Sequence, residues 1–360
     1  MSFNDVLAAL GVVLNGIPQG LLALSFGFAA MPSALAFIVG MVGVIVFHSV
    51  APISFQAETI TIAGRIGKDM PERLTAIFLE GIIMALLGSF GLLETIVHLI
   101  GPQITNAMMA GVGIMLAFVA IDMGMTDRTI GVVSVTIAIL VWVATRSLVH
   151  TIVWSVVISS LVGRFVKFEP VQHDESRERI KLQPLIWRFW ENPTVIRGAL
   201  ALSMLNIGAN ITFGKLTGQL ADAYVNVDHL SIYSSLADMA SSLFGGSPVE
   251  SIISATADAP HPLLAGVLMM GIFAVILLLR LLPRIGHYVP RASIAGFLLV
   301  LGAIVTLPVN MQLAFNGVEL QSPMAAVLGL TTVVTAKFDP FSGMVAGLVL
   351  RGLFILAGLM

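Results

Sequence analysis

The fold of this chain is decided by an interruption of its apolar sequence, GGSPVES at residues 245–251. A second interruption, APISFQAET at residues 51–59, also combines a proline with a glutamate. The segments that contain them, 51–65 and 245–258, are too short and too polar to cross a bilayer, because a spanning helix needs about 20 apolar residues. Each segment therefore predicts a broken crossing, and the two glutamates are Glu58 and Glu250.

The rest of the chain consists mainly of apolar runs bounded by Pro, Gly or charge. Hydrophobic residues make up 57% of the sequence and charged residues 11%, against about 25% charged residues in an average soluble domain. The runs lie at residues 6–29, 33–50, 74–93, 104–121, 129–145, 147–163, 198–214, 230–244, 263–282, 291–308, 322–336 and 341–358. We therefore expect a multi-pass protein of the inner cell membrane, with the lipid bilayer as its main partner.

The two halves of the chain match each other at a spacing of roughly 190 residues, as weak internal repeats do. The matched groups are Leu14-Asn15 with Leu205-Asn206, Ala57-Glu58-Thr59 with Val249-Glu250-Ser251, Pro102 with Pro290, and Ala110-Gly111 with Ala295-Gly296. A weak repeat with broken segments at corresponding places is typical of secondary transporters. The predicted organisation is a first repeat at 1–163, a polar connecting loop at 164–197 and a second repeat at 198–360.

Charge placement predicts that the two repeats are inverted. If each broken segment counts as one crossing, each half has seven, so equivalent loops lie on opposite sides of the membrane. Loops 65–73 and 280–291 are basic, whereas their repeat mates at 258–262 and 94–103 contain no Lys or Arg. This asymmetry is what the positive-inside rule requires of an inverted repeat.

Enzyme classes are disfavoured by missing motifs. The sequence has no phosphate-binding Gly-x-x-x-x-Gly-Lys-Ser/Thr, no Gly-x-Ser-x-Gly, no His-Glu-x-x-His and no cysteine. We therefore expect no catalytic residues, no metal ligands, no cofactor and no nucleic-acid partner.

The candidate site begins with Glu58 and Glu250. A carboxylate in the bilayer is costly and usually faces a cavity or a partner, and it can bind a proton. Asp238, about two turns before the second broken segment, is a candidate proton partner of Glu250. The alternative is that these acids lie near an interface, extend into the headgroups or cap helices.

Backbone amides near the breaks are further candidates for binding a solute. Gln56 in one half, and Gly246 and Ser247 in the other, lie where half-helix N-termini are expected to present free N–H groups. The alternative is an ordinary Pro/Gly turn.

Two pairs of carboxamides complete the candidate site. Asn15 and Gln19 in the first run, and Asn206 and Asn210 at equivalent places in the second half, are spaced i, i+4, so each pair lines one helix face. Carboxamides offer donors and acceptors, which suits an uncharged solute rich in hydrogen-bonding groups. The alternative is that they hold neighbouring helices together.

Several short stretches are similar to one known family. They are Leu79-Glu80-Gly81-Ile82-Ile83, the run 91–94 with Gly101-Pro102, the run 110–118, the stretch 245–251 and the run 289–296. Together they resemble the xanthine/uracil permease (nucleobase/ascorbate transporter) family, in its azaguanine/hypoxanthine-type branch. The resemblance implies an all-α, fourteen-span fold of 7+7 inverted repeats with two broken helices, a core domain that carries the substrate and a gate domain.

The same resemblance implies a site between 51–65 and 245–258, assisted by 198–214, with Glu250 as its acid. An acid of that family on the eighth span has no counterpart here, where 198–214 offers Asn206 and Asn210. The expected function is secondary active transport of a nucleobase, such as a purine or uracil, by alternating access. Protons are the favoured coupling ion and sodium is the alternative. The main ligand is the small-molecule solute. We expect the permease to form a homodimer.

A rival reading is a sulfate-permease-type anion transporter of the same fold, whose early Pro-Gln-Gly is similar to Ile17-Pro18-Gln19-Gly20. No arginine lies near 245–258, and Glu250 would repel an anion unless it carried a proton. A channel is a third class, which would more naturally show a polar stripe lining a pore.

Overall fold

The computed structural model describes residues 2–165, 170–171 and 178–359. The first half contains α1 (Phe3–Ser25), α2 (Ala30–Val46), β1 (Ile53–Ser54), α3 (Ala57–Arg65), α4 (Met70–Ser89), α5 (Leu93–Ile100), α6 (Pro102–Gly124), α7 (Arg128–Thr145) and α8 (Leu148–Gly163). The second half contains α9 (Pro193–Leu220), α10 (Val227–Ser242), β2 (Glu250–Ser251), α11 (Pro262–Leu278), α12 (Leu281–Gly286), α13 (Ala295–Leu299), α14 (Leu307–Ala314), α15 (Pro323–Lys337) and α16 (Pro340–Leu356).

Short irregular turns join some of these elements. In the part of the chain that the structure describes, 3-10 turns lie at Phe189–Glu191, Ala255–Asp258 and Arg291–Ile294. A π-helical stretch at Val300–Thr306 makes α13 and α14 one continuous helix.

Many of the described helices have the length and composition of membrane spans. Helices α1, α6, α7, α9 and the continuous helix Arg291–Ala314 are long and apolar enough to cross a membrane. Helices α2, α8, α11, α15 and α16 are shorter and also apolar. Helices α4 and α5 pass the same test only together, and their axes are bent by 100°. The sequence had assigned 94–103 to a loop, so α5 is an element that the apolar pattern did not predict.

Polar caps fix the first residue of several helices. The side chain of Asp69 accepts the backbone N–H of Glu72, so α4 begins at Met70 although its apolar run begins at 74. Ser322 and Asp339 cap α15 and α16 in the same way. A cap supplies an acceptor to backbone donors that have no partner within the helix, so it fixes the first helical residue.

Within the described ranges, each half contributes seven crossings. Six in each half are helical, and the seventh is a broken crossing, formed by β1 with α3 and by β2 with its 3-10 turn. The two strands pair antiparallel, with Ile53 opposite Ser251 and Ser54 opposite Glu250. The ladder gives hydrogen-bond partners to backbone where the helices are interrupted, which apolar surroundings require. The 7+7 inverted repeat is therefore confirmed, with its broken crossings paired at the centre.

The two broken crossings differ after their strands. β1 is followed by the nine-residue helix α3, whereas β2 is followed by a single 3-10 turn, Ala255–Asp258. The expectation of two equivalent half-helices is therefore fulfilled only in the first half. The second segment contains several polar residues. The Ser254 hydroxyl accepts the backbone N–H of Thr256, and this local bond competes with the hydrogen bonds of a regular helix.

Helix packing divides the molecule into a core and a gate. The core contains α1–α4, α9–α11 and both strands, and the gate contains α6–α8 and α13–α16. Glycines allow close backbone contact within each part. A Cβ on Gly113 of α6 would lie 2.7 Å from the backbone nitrogen of Leu307, so the gate packing requires glycine at this position.

The connecting loop, expected to lie in water, sends one acid into the protein. Glu178 is 1% exposed, and its carboxylate accepts the backbone N–H groups of Ala30 and Met31, both at 2.7 Å. It therefore caps α2, which has no side-chain cap of its own. Residues 166–169 and 172–177 of this loop lie outside the described residues.

Candidate functional site

A polar cavity of about 250 Å³ lies between the core and the gate, beside β1. The core contributes α1, β1, α3, the region after β2 and one residue of α9, and the gate contributes α6, α8 and the helix that ends in α14. Its polar lining residues are Asn15, Gln19, Ser54, Gln56, Glu58, Thr306 and Asn310. A groove of about 440 Å³ beside α1, α8 and α12 is lined almost entirely by apolar side chains, so it offers a solute few orienting groups.

Asn15 and Gln19 both reach this cavity from one face of α1, as their i, i+4 spacing predicts. The side-chain oxygens Oδ1 of Asn15 and Oε1 of Gln19 are buried and have no hydrogen-bond partner in the protein. Ser54 Oγ on the other side of the cavity is also buried and without a partner. These groups are available to a ligand, because buried polar atoms are otherwise almost always paired.

The N-terminus of α3 faces the same cavity. Gln56 is its N-cap residue but makes no side-chain cap, and the first intrahelical bond runs from Ile60 N–H to the Gln56 carbonyl. The first amides of a helix have no intrahelical partner and carry the positive end of the helix dipole. This end therefore presents positive partial charge to the cavity.

Glu58 lies in the first turn of α3 and is the one acid among the lining residues. Its carboxylate accepts its own backbone N–H and, at 3.4 Å, the Thr306 hydroxyl on Oε1. The other oxygen, Oε2, is buried without a partner. No Lys or Arg occurs among the described lining residues, so the site combines one acid with neutral donors.

Glu250 lies one layer behind the cavity and does not line it. It is 1% exposed in β2, and its Oε2 accepts the Thr59 hydroxyl of α3. Because Thr59 follows Glu58, this bond connects the second broken crossing to the helix that carries the cavity acid.

Other expected site residues lie away from the cavity. On α9, Asn206 donates to Glu80 Oε1 at 2.7 Å and Asn210 donates to Ser234 Oγ at 3.4 Å, so both face neighbouring core helices. The helix reaches the cavity through Phe213 instead.

Gly246 and Ser247, which precede β2, contact the start of α2. The Ser247 N–H donates to Ser33 Oγ at 2.8 Å, and the Gly246 N–H donates to the Ser241 carbonyl. Gly245, at φ +93°, receives the N–H of Ala29 on its carbonyl. These amides are occupied and do not face the cavity.

Asp238 was expected beside Glu250 and is also close to Glu80. Its carboxylate accepts the Val249 N–H at 2.7 Å and lies close to the Glu80 carboxyl. Glu80 is buried within α4.

Thr306 and Asn310 are cavity residues that the sequence reasoning missed. Asn310 Nδ2 donates to the Thr306 carbonyl at 2.7 Å, one turn earlier on the same helix. Their i, i+4 spacing around Pro308 is the signal that would have identified them, since it matches that of Asn15 and Gln19. Within the described ranges, no group of three or more His, Asp or Glu residues is placed to hold a metal ion.

Comparison with known proteins identifies the fold. No protein-family model and no curated protein sequence matches the chain. The transmembrane domain of the cyanobacterium bicarbonate transporter BicA superposes with a TM-score of 0.72 at 12% identity, over 96% of this chain and 97% of that one. SLC26A9 superposes with a TM-score of 0.70 at 13% identity, over 99% of this chain and 65% of that one. The murine anion transporter Slc26a9 in its inward-facing state gives 0.71 at 13% identity, over 99% and 68%.

The expected resemblance to the xanthine/uracil permease family is wrong, because the structural neighbours are anion transporters. The stretches that carried it consist mainly of Gly, Pro and apolar residues. Such residues are required wherever crossings break or helices approach closely, as at Gly113, so they follow the shared architecture rather than one family. At 12–13% identity the likeness shows the fold, a 7+7 inverted repeat with core and gate domains.

Proposed function

We propose that this chain is a secondary active transporter that carries a small anion together with a proton across the bilayer by alternating access. The observation that carries the proposal is the position of Glu58, at the uncapped N-terminus of α3 in a polar cavity between core and gate. The proposal concerns the substrate class and the coupling ion, and its general kind is that of the transporters which share the fold.

Neutral groups hold the anion in this proposal. The first amides of α3 point positive partial charge at the cavity, and the carboxamides of Asn15 and Gln19 supply further N–H donors. A cavity of about 250 Å³ has room for a small oxyanion or a short carboxylate with a few waters, since one water occupies about 30 Å³.

Glu58 makes anion binding depend on a proton. Two unit charges about 4 Å apart repel by about 4 kcal/mol at an effective dielectric constant of about 20. Each 1.4 kcal/mol is about tenfold in affinity, so an ionised Glu58 excludes an anion from the α3 N-terminus. A proton on the unpartnered Oε2 removes this repulsion and releases the helix amide from the carboxylate. Anion and proton then bind together and leave together.

Alternating access follows from the two-sided lining of the cavity. Asn15, Gln56 and Glu58 belong to the core, whereas Ile152, Thr306 and Asn310 belong to the gate. Movement of the core against the gate therefore carries the bound solute and the core residues that hold it past the gate surface. The same movement breaks the contact between Thr306 and Glu58.

Uptake by the purified protein in proteoliposomes tests the proposal. We expect labelled bicarbonate or sulfate to accumulate when an inward proton gradient is applied, with uracil and xanthine as solutes that do not accumulate. Bicarbonate is included because BicA, of the same fold, is a bicarbonate transporter. Gradient-driven uptake of a nucleobase without any anion would contradict the proposal.

Glu58→Gln tests the coupling. The glutamine is neutral at every pH, so gradient-driven accumulation should fall by about tenfold or more, while anion exchange without a gradient continues. Glu319→Gln, an exposed acid in the loop before α15, is the matched control and should behave as the wild type. If Glu58→Gln retains full dependence on the proton gradient, Glu58 does not carry the coupled proton.

A further inference from the structure

A second pair of acids lies inside the core, away from the solute cavity. Glu80 on α4 and Asp238 on α10 are each 1% exposed. The two helices pack closely at this level, because Gly81 lies against the backbone carbonyl of Ser235 and the side chain of Met239. Neither acid lines the cavity.

Each carboxyl has one oxygen satisfied by a neighbour. Glu80 Oε1 accepts the Asn206 amide and Asp238 Oδ1 accepts the Val249 N–H, both at 2.7 Å. The remaining oxygens, Oε2 of Glu80 and Oδ2 of Asp238, are buried without a donor from the protein. The Oδ1 of Asn206, a residue only 3% exposed that points into this pair, also lacks a partner.

The two carboxyls lie close enough to interact, and each keeps one buried oxygen without a donor. Ionised carboxylates only accept hydrogen bonds, so two of them cannot bond unless one is protonated. Two adjacent negative charges in apolar surroundings are also strongly unfavourable.

Among the described residues, the elements packed against the pair direct no cation at it. Helix α2 contains no titratable residue, α9 faces the pair with Asn206, and β2 faces it with Glu250. On α4 itself, Arg73 is directed to the carbonyls of Phe26 and Ile66. A proton is therefore the positive charge that the arrangement calls for.

We propose that Glu80 and Asp238 form a second, exchangeable proton-binding site of the core, which titrates separately from Glu58. The proton lies between Glu80 and Asp238, with Asn206 holding Glu80 in place. Loss of the proton leaves Asp238 facing a second charge and pulls on its bond to Val249, the neighbour of Glu250 in β2. The site thereby connects proton occupancy to the strand pair beside the cavity, and this role in coupling rests on the proposed function.

Difference infrared spectroscopy of the purified protein tests the site without transport. A pH step from acid to alkaline should remove a protonated-carboxyl C=O signal that the Glu80→Gln/Asp238→Asn double variant lacks. Glu94→Gln, an exposed acid paired with Lys215, is the matched control and should keep the wild-type signal. An identical pH-dependent signal in wild type and double variant would overturn the proposal.

A permanently bound proton is the second outcome that would overturn it. In that case the wild type has a protonated-carboxyl signal that does not respond to pH, and the double variant lacks this signal. The pair is then a fixed hydrogen bond. Transport assays separate this failure from failure of the proposed function. Without a gradient, the double variant should exchange labelled anion like the wild type, whereas with a gradient it should move one proton fewer per anion. If wild type exchanges no anion, the proposed function fails while the infrared result still decides the proton site.

Discussion

Two glutamates that occupy matching places in the sequence differ in their surroundings. Glu58 faces the cavity with one oxygen free, whereas Glu250 lies behind it and accepts the Thr59 hydroxyl. The difference arises because consecutive residues of α3 face different sides of the helix. Glu58 faces the cavity, and Thr59 faces Glu250 in β2. The acid that contacts solute is thus Glu58 in our proposal, and Glu250 holds α3 against β2.

Removal of the Thr59 hydroxyl should destabilise the protein. Thr59→Val keeps the shape of the side chain but leaves the buried Glu250 carboxyl without its donor, at a cost of about 1–3 kcal/mol. We expect a lower midpoint of thermal unfolding in detergent, with Thr59→Ser close to wild type. Thr145→Val, at an exposed threonine, is the control. An unchanged midpoint in Thr59→Val would show that the bond contributes nothing.

Loss of a cavity carboxamide should weaken solute binding. Asn15→Leu removes an amide that lines the cavity, at the cost of one hydrogen bond of about 1 kcal/mol, which corresponds to a KM raised about fivefold. The rate at saturation should change less than KM. Asn316→Leu, at an exposed position, should leave KM unchanged. An unaltered KM for Asn15→Leu would place the solute elsewhere.

At the scale of elements, the inverted repeat is unequal at its centre. Both strands are present, yet only β1 continues into a regular helix, so one helix N-terminus rather than two faces the cavity. The amides near Gly246 and Ser247, expected to bind solute, instead hold the start of α2. The second broken crossing therefore serves mainly to position the first.

We expect a substitution of Gly113 by alanine to disturb the close contact between α6 and α14. In Gly113→Ala the new Cβ lies 2.7 Å from Leu307 N and 2.8 Å from Gly302 O, both backbone atoms that cannot move aside as a side chain can. This strain, about 1–3 kcal/mol, exceeds the gain of about 1 kcal/mol that alanine brings to a helix. Thermal unfolding should begin at lower temperature.

Gly329→Ala on α15 is the matched substitution, because nothing lies within 4 Å of its new Cβ. It should leave the unfolding temperature unchanged or raise it slightly. Equal behaviour of the two variants would mean that the gate helices are not held at this contact.

At the scale of the whole molecule, the described residues of the core and the gate are joined by few polar contacts. One is the ion pair between Arg197 of α9 and Asp339, the N-cap of α16, with 3.0 Å between Nε and Oδ2. An interface that must slide cannot be locked by many such bonds, so the sparse contact agrees with a moving core.

Cross-linking across this interface should stop transport. The chain contains no cysteine, so Arg197→Cys/Asp339→Cys joined by a short bifunctional thiol reagent creates a single defined link. Uptake should be lost on linking and restored by reductant. The control pair Arg188→Cys/Glu191→Cys lies within one short turn, so linking it should not affect uptake. Continued transport by the linked core–gate variant would contradict alternating access by relative movement.

Much of this architecture was predictable from sequence. The lengths of the apolar runs predicted the crossings. The segments 51–65 and 245–258 are too short and too polar to span, which predicted the breaks. The spacing of Asn15 and Gln19 predicted that they share one helix face. The helix α5 and the buried position of Glu178 were not predicted, because each depends on contacts with distant parts of the chain.

Apolar runs and their interruptions were enough to predict which segments cross the bilayer, where they break and that the halves are related. The physical reason is that apolar length and unpaired backbone are local properties, which the membrane tests segment by segment. Only the tertiary structure decided which polar groups meet. Asn206 contacts Glu80 rather than the cavity, and Glu58 rather than Glu250 faces the cavity, because helix rotation and packing set these contacts and no local sequence pattern predicts them.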